Sequence, residues 1–382
     1  MRILDLVQGI VRRLTPAVSR RLFRRLFFWL PFLCSWSISH CRRILGRSGE
    51  LSCDILFVMD KLDKNWILGA ICREIANCAP GKVGFYYGEL YPSSPFWPRP
   101  IKLPDAKVYF FAQEVFLLQC LKASPAIWSR PKYVWYTHPA ELGPTNECVF
   151  SLNLATKIFS TCSLFVDLLT QQGVQPEKLT CVLGAADPDF FSPHQRSSDG
   201  LVGFCTAFYP RKNPELILEL VKALPNRSFI LVGRNWDQYD RFPELKELPN
   251  FQYVNVPYSE YPKYYEKMSV FVSASNLEGG PIPLVEAMMS NIVPVASRTG
   301  FAPDLIKHGR NGFMFDVGSP VKLIGDLITQ AFALQTDIRV TVEHLSWRNF
   351  SLQMNAVMAE STLKDIGQQE NITEVAEGQN QV

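Results

Sequence analysis

Along most of the chain, short runs of consecutive apolar residues alternate with longer stretches in which apolar residues return every three or four positions. The runs Asp54-Ile-Leu-Phe-Val-Met59, Lys107-Val-Tyr-Phe-Phe111, Tyr133-Val-Trp-Tyr-Thr137 and Ile158-Phe-Ser-Thr-Cys-Ser163 predict buried strands. Trp66 to Cys78, Glu114 to Ala123 and Leu164 to Gln172 predict helices between them, the last closed by Gly173. The alternation resumes after residue 200, with strands at Ser228-Phe-Ile-Leu-Val-Gly233, Ser269-Val-Phe-Val-Ser-Ala-Ser275 and Asn291-Ile-Val-Pro-Val-Ala-Ser297. Strands that alternate with helices pair in parallel, because each crossover returns the chain to start the next strand in the same direction. At 382 residues the chain is long enough for two such units of roughly 150 residues each, plus extensions.

One turn concentrates candidate chemistry. Glu278-Gly-Gly-Pro-Ile-Pro-Leu-Val-Glu286-Ala follows the 269–275 strand and enters a helix expected over Pro283 to Met289, with proline in its first turn. It sets two carboxylates eight positions apart at a strand's carboxyl end, where open α/β sheets bind ligands. A carboxylate accepts two hydroxyl hydrogen bonds, which suits the diols of sugars and ribose, and a helix start offers unpaired N–H groups to an anion. On spacing alone the competing reading is that Glu286 complements the helix dipole and Glu278 is a solvated loop charge. Downstream, Arg298-Thr-Gly300 turns, Ala302-Pro-Asp-Leu-Ile-Lys307 makes a short helix, and Gly309-Arg-Asn-Gly312 leads into Phe313-Met-Phe315. Upstream stands a second block, Tyr209-Pro-Arg-Lys-Asn-Pro-Glu-Leu-Ile-Leu-Glu219, before the 228–233 strand.

These blocks, over about residues 200 to 320, resemble the carboxyl-terminal domain of the retaining GT-B glycosyltransferases of family four. The resemblance implies an α/β fold of two Rossmann-like domains facing across a cleft. Residues 51–190 form the acceptor side and 200–340 bind the nucleotide-sugar, with a linker near 185–200. A helix opened by Ser346-Trp-Arg-Asn-Phe350 crosses back over 341–363, and a tail rich in Gln, Glu and Asn, 364–382, reads as disordered. The implied activity is metal-independent transfer of a sugar, with retention, from a nucleotide-sugar donor to a glycan or lipid-linked acceptor. No cofactor is implied, since the nucleotide-sugar is a substrate. By the same resemblance Glu286 takes the ribose hydroxyls, Lys212 with Arg211 holds the diphosphate, and Glu278 with Gly279, Gly280 and Pro281 holds the sugar. His138, at the end of its strand in Trp135-Tyr-Thr-His-Pro-Ala-Glu141, joins Glu278 as a catalytic candidate near the reacting carbon. The family's Gly-Arg pair aligns here with Thr206-Ala207, so one cationic diphosphate contact is missing. Two alternatives stay open: a non-catalytic sugar-nucleotide-binding subunit of a glycan assembly complex, and another enzyme of this fold such as a hydrolysing epimerase. A two-carboxylate glycosidase mechanism is not indicated, because it needs paired acids across the scissile bond.

Charge redraws the amino terminus. The net charge is +3, but residues 1–50 carry ten arginines against Asp5 and Glu50, a local +8 that leaves −5 for the rest. Arg20-Arg21-Leu-Phe-Arg-Arg25 precedes a thirteen-residue apolar run, Leu26 to Ile38, interrupted by Pro31 and followed by Arg42-Arg43. That run is shorter than the roughly twenty residues a spanning helix needs. Aromatic residues among clustered arginines favour an interfacial helix on an anionic leaflet through residues 12–43, with a secretory signal or a helix docked on the protein's own surface as rivals. Ten scattered cysteines without a CxxC pair imply reduced thiols. The expectation is a cytoplasmic protein, peripheral on the inner face of the membrane. Five dispersed histidines give no metal site, and dispersed basic residues in the globular part argue against nucleic acid.

Overall fold

A computed structural model describes residues 17–44, 51–65, 67–89, 101–137 and 146–378. Among these residues the strands form two six-stranded sheets, parallel at every pairing. The first holds β1 (Cys53–Asp60), β2 (Val83–Gly88), β3 (Ala106–Phe111), β4 (Lys132–Tyr136), β5 (Lys157–Ser160) and β6 (Leu179–Cys181), in the order β2-β1-β3-β4-β5-β6. The second holds β7 (Leu201–Cys205), β8 (Phe229–Val232), β9 (Phe251–Val254), β10 (Met268–Ser273), β11 (Val293–Ser297) and β12 (Phe313–Phe315), in the order β12-β11-β10-β7-β8-β9. Central strands are buried on both faces, as in β4 and β8 throughout, which is why they read as unbroken apolar runs.

After α1 (Ala17–Ile44), the first sheet is covered by α2 (Ile67–Asn77), α3 (Glu114–Ala123), α4 (Asn146–Asn153) and α5 (Ser163–Gln171). The second is covered by α6 (Pro214–Ala223), α7 (Ile282–Met289) and α8 (Val321–Ala333), and the chain closes with α9 (Trp347–Gly378). The order of strands reverses between β1 and β3 in one sheet and between β7 and β10 in the other. At such switch points the loops leaving adjacent strands diverge and open a crevice.

Helix α9 lies back on the first sheet. Ser351 Oγ donates to Glu74 O at 2.7 Å, Asn355 Nδ2 to Ile75 O at 2.9 Å, and the Tyr133 hydroxyl on β4 to Met358 O at 2.8 Å. The helix continues to Gly378, where composition predicts disorder from 364. Its Lys, Gln and Glu residues are good helix formers, and Gly367 inside it costs only about 1 kcal/mol against them.

Pro31, which interrupts the apolar run in the sequence, sits inside α1. Tertiary packing offsets the backbone bond that proline removes. Phe32, Ser35 and Ser39 are buried, Phe32 meets Phe150 edge-on at 5.5 Å, and Trp128 Nε1 donates to Ser35 Oγ at 3.0 Å. The opposite side leaves Leu30, Leu33, Trp36 and Ile38 exposed, while Trp29, 39% exposed, also meets Phe150 edge-on at 4.6 Å. The helix therefore docks on its own domain by one face and presents an apolar stripe on the other. No helix among the described residues is long and apolar enough to cross a membrane.

The Tyr133 hydroxyl also bonds Ser361 Oγ at 2.9 Å and Thr362 Oγ1 at 2.8 Å, so it ties α9 to the sheet at one buried point. Tyr133→Phe strips these partners while keeping the ring. It should lower unfolding free energy by about 1–3 kcal/mol in a denaturant titration; an unchanged midpoint would show that α9 is held by its other contacts alone.

Candidate functional site

Two turns at the second switch point are stitched together before any charge is considered. Asn213 takes the left-handed conformation, φ 56°, and its side chain caps α6 by accepting from Leu216 N at 3.4 Å. Its amide donates to Asn276 Oδ1 at 3.0 Å, and Asn276 N donates to Arg211 O at 2.8 Å. The turn after β7 is thus laid against the turn after β10.

This brings Arg211 and Lys212 onto Glu278, as the sequence blocks imply. Arg211 Nη1 donates to Glu278 Oε2 and to Leu277 O, both at 3.1 Å. Lys212 Nζ and Ser275 Oγ, the latter at 2.6 Å, donate to Glu278 Oε1. Glu278 is only 4% exposed. Burial pushes its pKa up, but Lys212 and then Arg211 pull harder, so the carboxyl is held below its ordinary range and stays ionised.

Glu286, in α7, is equally buried but has phenols for partners. Tyr258 donates to Oε1 at 2.6 Å and Tyr265 to Oε2 at 2.9 Å. Burial dominates here, and the carboxyl is raised to about 7 despite both hydrogen bonds. Sequence reasoning missed these tyrosines. The segment Tyr258-Ser-Glu-Tyr-Pro-Lys-Tyr-Tyr265, four tyrosines in eight residues just before β10, was the available signal.

A cavity of about 310 Å³ lies between the two sheets at their switch points. Asp63, Gln113, Thr137 and Thr161 line it from the first half, and Arg211, Glu278, Gly279 and Gly280 from the second. The halves meet so closely that a Cβ on Gly279 would lie 1.8 Å from Thr137 O, which explains glycine there by contact alone. Lys212, Pro281 and Glu286 do not line this cavity. His138 directly follows Thr137 but lies outside the described residues. Asp63, another residue that sequence reasoning missed, has its carboxyl raised to about 6 by burial and by Asp60. A larger cavity, about 940 Å³, opens at the amino ends of the first sheet's strands. There Lys132, Lys157 and Lys178 donate to backbone carbonyls, and the ion-paired carboxylate belongs to the smaller cleft.

Ala207 stands where the family pattern has arginine, beside Thr206 O, which accepts Trp236 Nε1 at 2.8 Å. Alanine offers no cation, and Arg211 is the second positive group at Glu278 instead.

Residues 187–339 match the family described as glycosyl transferases group 1, a span holding Arg211, Lys212, Glu278 and Glu286 but less than half of the chain. No curated protein matches the chain. Among solved structures, HepE from Anabaena in complex with UDP superposes with a TM-score of 0.64 at 16% identity, over 80% of this chain and 100% of that one. Sucrose-phosphate synthase from Thermosynechococcus elongatus gives 0.63 at 14% identity, over 80% of this chain and 98% of that one. The lipopolysaccharide outer core galactosyltransferase WaaB, in its apo form, gives 0.62 at 13% identity, over 80% of this chain and 99% of that one. The fold is GT-B. In this GT-B arrangement both switch points open on one cleft, and the ion-paired carboxylate stands on its carboxyl-terminal side.

Glu286 gives the fold a pH signature. Below its ordinary value of 4.5 the carboxyl is protonated whether the chain is folded or not, whereas between 4.5 and about 7 only the folded chain keeps the proton. Stability is lost as pH rises through that window, because the unfolded chain then binds fewer protons than the folded one. Glu286→Gln should therefore gain thermal stability relative to wild type from pH 4.5 to about 7. Parallel pH profiles for the two proteins would contradict the assignment.

Proposed function

We propose that this protein is a retaining, metal-independent glycosyltransferase. It moves a sugar from a nucleotide-sugar donor to a glycan or lipid-linked acceptor in cell-surface polysaccharide or glycoconjugate synthesis. The observation that carries the reading is Glu278, a buried carboxylate paired with Arg211 and Lys212, opening on the shared cleft inside the segment that matches glycosyl transferases group 1. The UDP complex of HepE and the galactosyltransferase name of WaaB support a nucleotide-sugar as donor.

In this reading the nucleotide lies on the second sheet. Glu286 takes the ribose hydroxyls through charge-assisted hydrogen bonds. Lys212 and Arg211 neutralise the diphosphate as charge develops on the leaving group, in a site pre-arranged for it. Glu278 and the N–H groups of Gly279 and Gly280 hold the sugar, with Pro281 leading into α7. The acceptor hydroxyl approaches from the first sheet's side, and His138 stands near the reacting carbon. Retention follows from the family likeness. Ala207 favours one second reading, a sugar-nucleotide-binding subunit without turnover.

A panel of UDP-, GDP-, ADP- and dTDP-sugars, read by thermal shift and by release of free nucleotide, separates these. One nucleotide class should stabilise the wild type and release slowly. Lys212→Ala and Glu286→Ala should each weaken its binding at least about tenfold, the scale of one lost charge-assisted bond. Stabilisation without release, acceptors included, favours the binding subunit. No stabilisation by any donor contradicts both readings.

The exposed stripe of α1 is read as the contact with an anionic membrane surface. Its tryptophans suit the headgroup region, and the arginines that flank the apolar run in the sequence suit acidic lipids. Co-sedimentation with phosphatidylglycerol vesicles should fall several-fold in a Leu30→Ser, Leu33→Ser, Trp36→Ser triple variant, with little binding to phosphatidylcholine. Equal binding by variant and wild type would remove α1 as the contact.

A further inference from the structure

We infer that the Tyr258 hydroxyl occupies the place of a ribose hydroxyl, so that a donor nucleotide binds Glu286 only by displacing it. The inference rests on the donor-site reading above. It starts from the unequal settings of the two phenols on Glu286. Tyr265 is fully buried and holds Oε2 from within the core. Tyr258 sits in the short turn Tyr258–Glu260 that follows β9, and it is 51% exposed, yet its hydroxyl reaches Oε1 of a carboxylate that is itself 2% exposed.

That combination is the geometry of a plug. The ring meets Phe190 at 5.4 Å, Phe191 at 6.1 Å and Tyr261 at 5.2 Å, and about half of the residue faces solvent. Its side chain makes one hydrogen bond and ring contacts from a half-exposed position, whereas Tyr265 is fully buried and cannot leave without opening the core. A ribose hydroxyl is chemically equivalent to the phenol at that oxygen, since each is a neutral O–H donating to a carboxylate. Exchange of one for the other leaves the carboxylate satisfied throughout, which a buried carboxylate requires. The bond to Tyr258 is then a toll on nucleotide affinity that depends on the ribose hydroxyls and not on the diphosphate.

The test titrates UDP, GDP and ADP, and the 2′,3′-dideoxy form of each, into wild type, Tyr258→Phe and Tyr258→Ala. Removing the competing hydroxyl should tighten the best ribonucleotide by about three- to tenfold in both variants, the range of one hydrogen bond to a charged group. The dideoxy form should not gain, because it has no hydroxyl to place on Glu286. Several results overturn the inference: ribonucleotide affinity unchanged or weakened in the variants, an equal gain for the dideoxy form, or tightening by Tyr258→Ala alone, which assigns the barrier to ring bulk. If no nucleotide binds any of the three proteins, the donor-site reading itself falls, and this inference with it. Binding to the variants but not to wild type supports both.

Discussion

An ionised carboxylate removed from water must be surrounded by donors and cations, or the fold pays several kcal/mol for it. Glu278 sets that condition, and the second half of the molecule is arranged around meeting it. Ser275 from the end of β10, Arg211 and Lys212 from the turn after β7, and the backbone clasp between Asn276 and Arg211 all converge there. The two turns belong to the adjacent strands whose connections diverge, so the charge cluster and the switch point are one feature. Removing one cation would leave a buried charge with half its compensation. The arrangement is therefore formed before any ligand arrives, as the proposed stabilisation of developing charge would need.

Eight residues further on, Glu286 solves the same problem by other means. Without a cation beside it, burial pushes its carboxyl to about 7, and two phenols supply the hydrogen bonds. The two glutamates thus sit in opposite electrostatic states within one turn and helix. Glu278 is committed to charge, and Glu286 is poised near neutrality with hydroxyl partners that other hydroxyls can replace. That difference fits a division between holding the reacting end and holding the ribose.

Strands that are buried on both faces leave long apolar runs, and those runs located much of the two sheets from sequence. The Glu278 to Glu286 turn was legible for a related reason: its glycines, prolines and carboxylates are contiguous, so their spacing survives in one dimension. What was not legible is non-local. Tyr258 and Tyr265 reach Glu286 from 28 and 21 residues away, and Asp63 enters the Glu278 cleft from the other sheet. The cost of Pro31 is local and visible in sequence, while the packing of Phe32 and Ser35 that offsets it comes from Phe150 and Trp128. The same contacts dock α1 on its own domain by one face and leave the other apolar and exposed. The polar tail after residue 364 looked unable to fold because it has little to bury, yet its backbone continues a helix already anchored at Ser351 and Asn355.

The most direct measurement is a crystal structure of the protein with the nucleotide-sugar that stabilises it most. The account predicts the diphosphate against Arg211 and Lys212, the sugar beside Glu278 and Gly279, and the anomeric carbon open to the first sheet's side of the cleft. A nucleotide bound elsewhere, such as in the larger cavity at the amino ends of the first sheet, would contradict it.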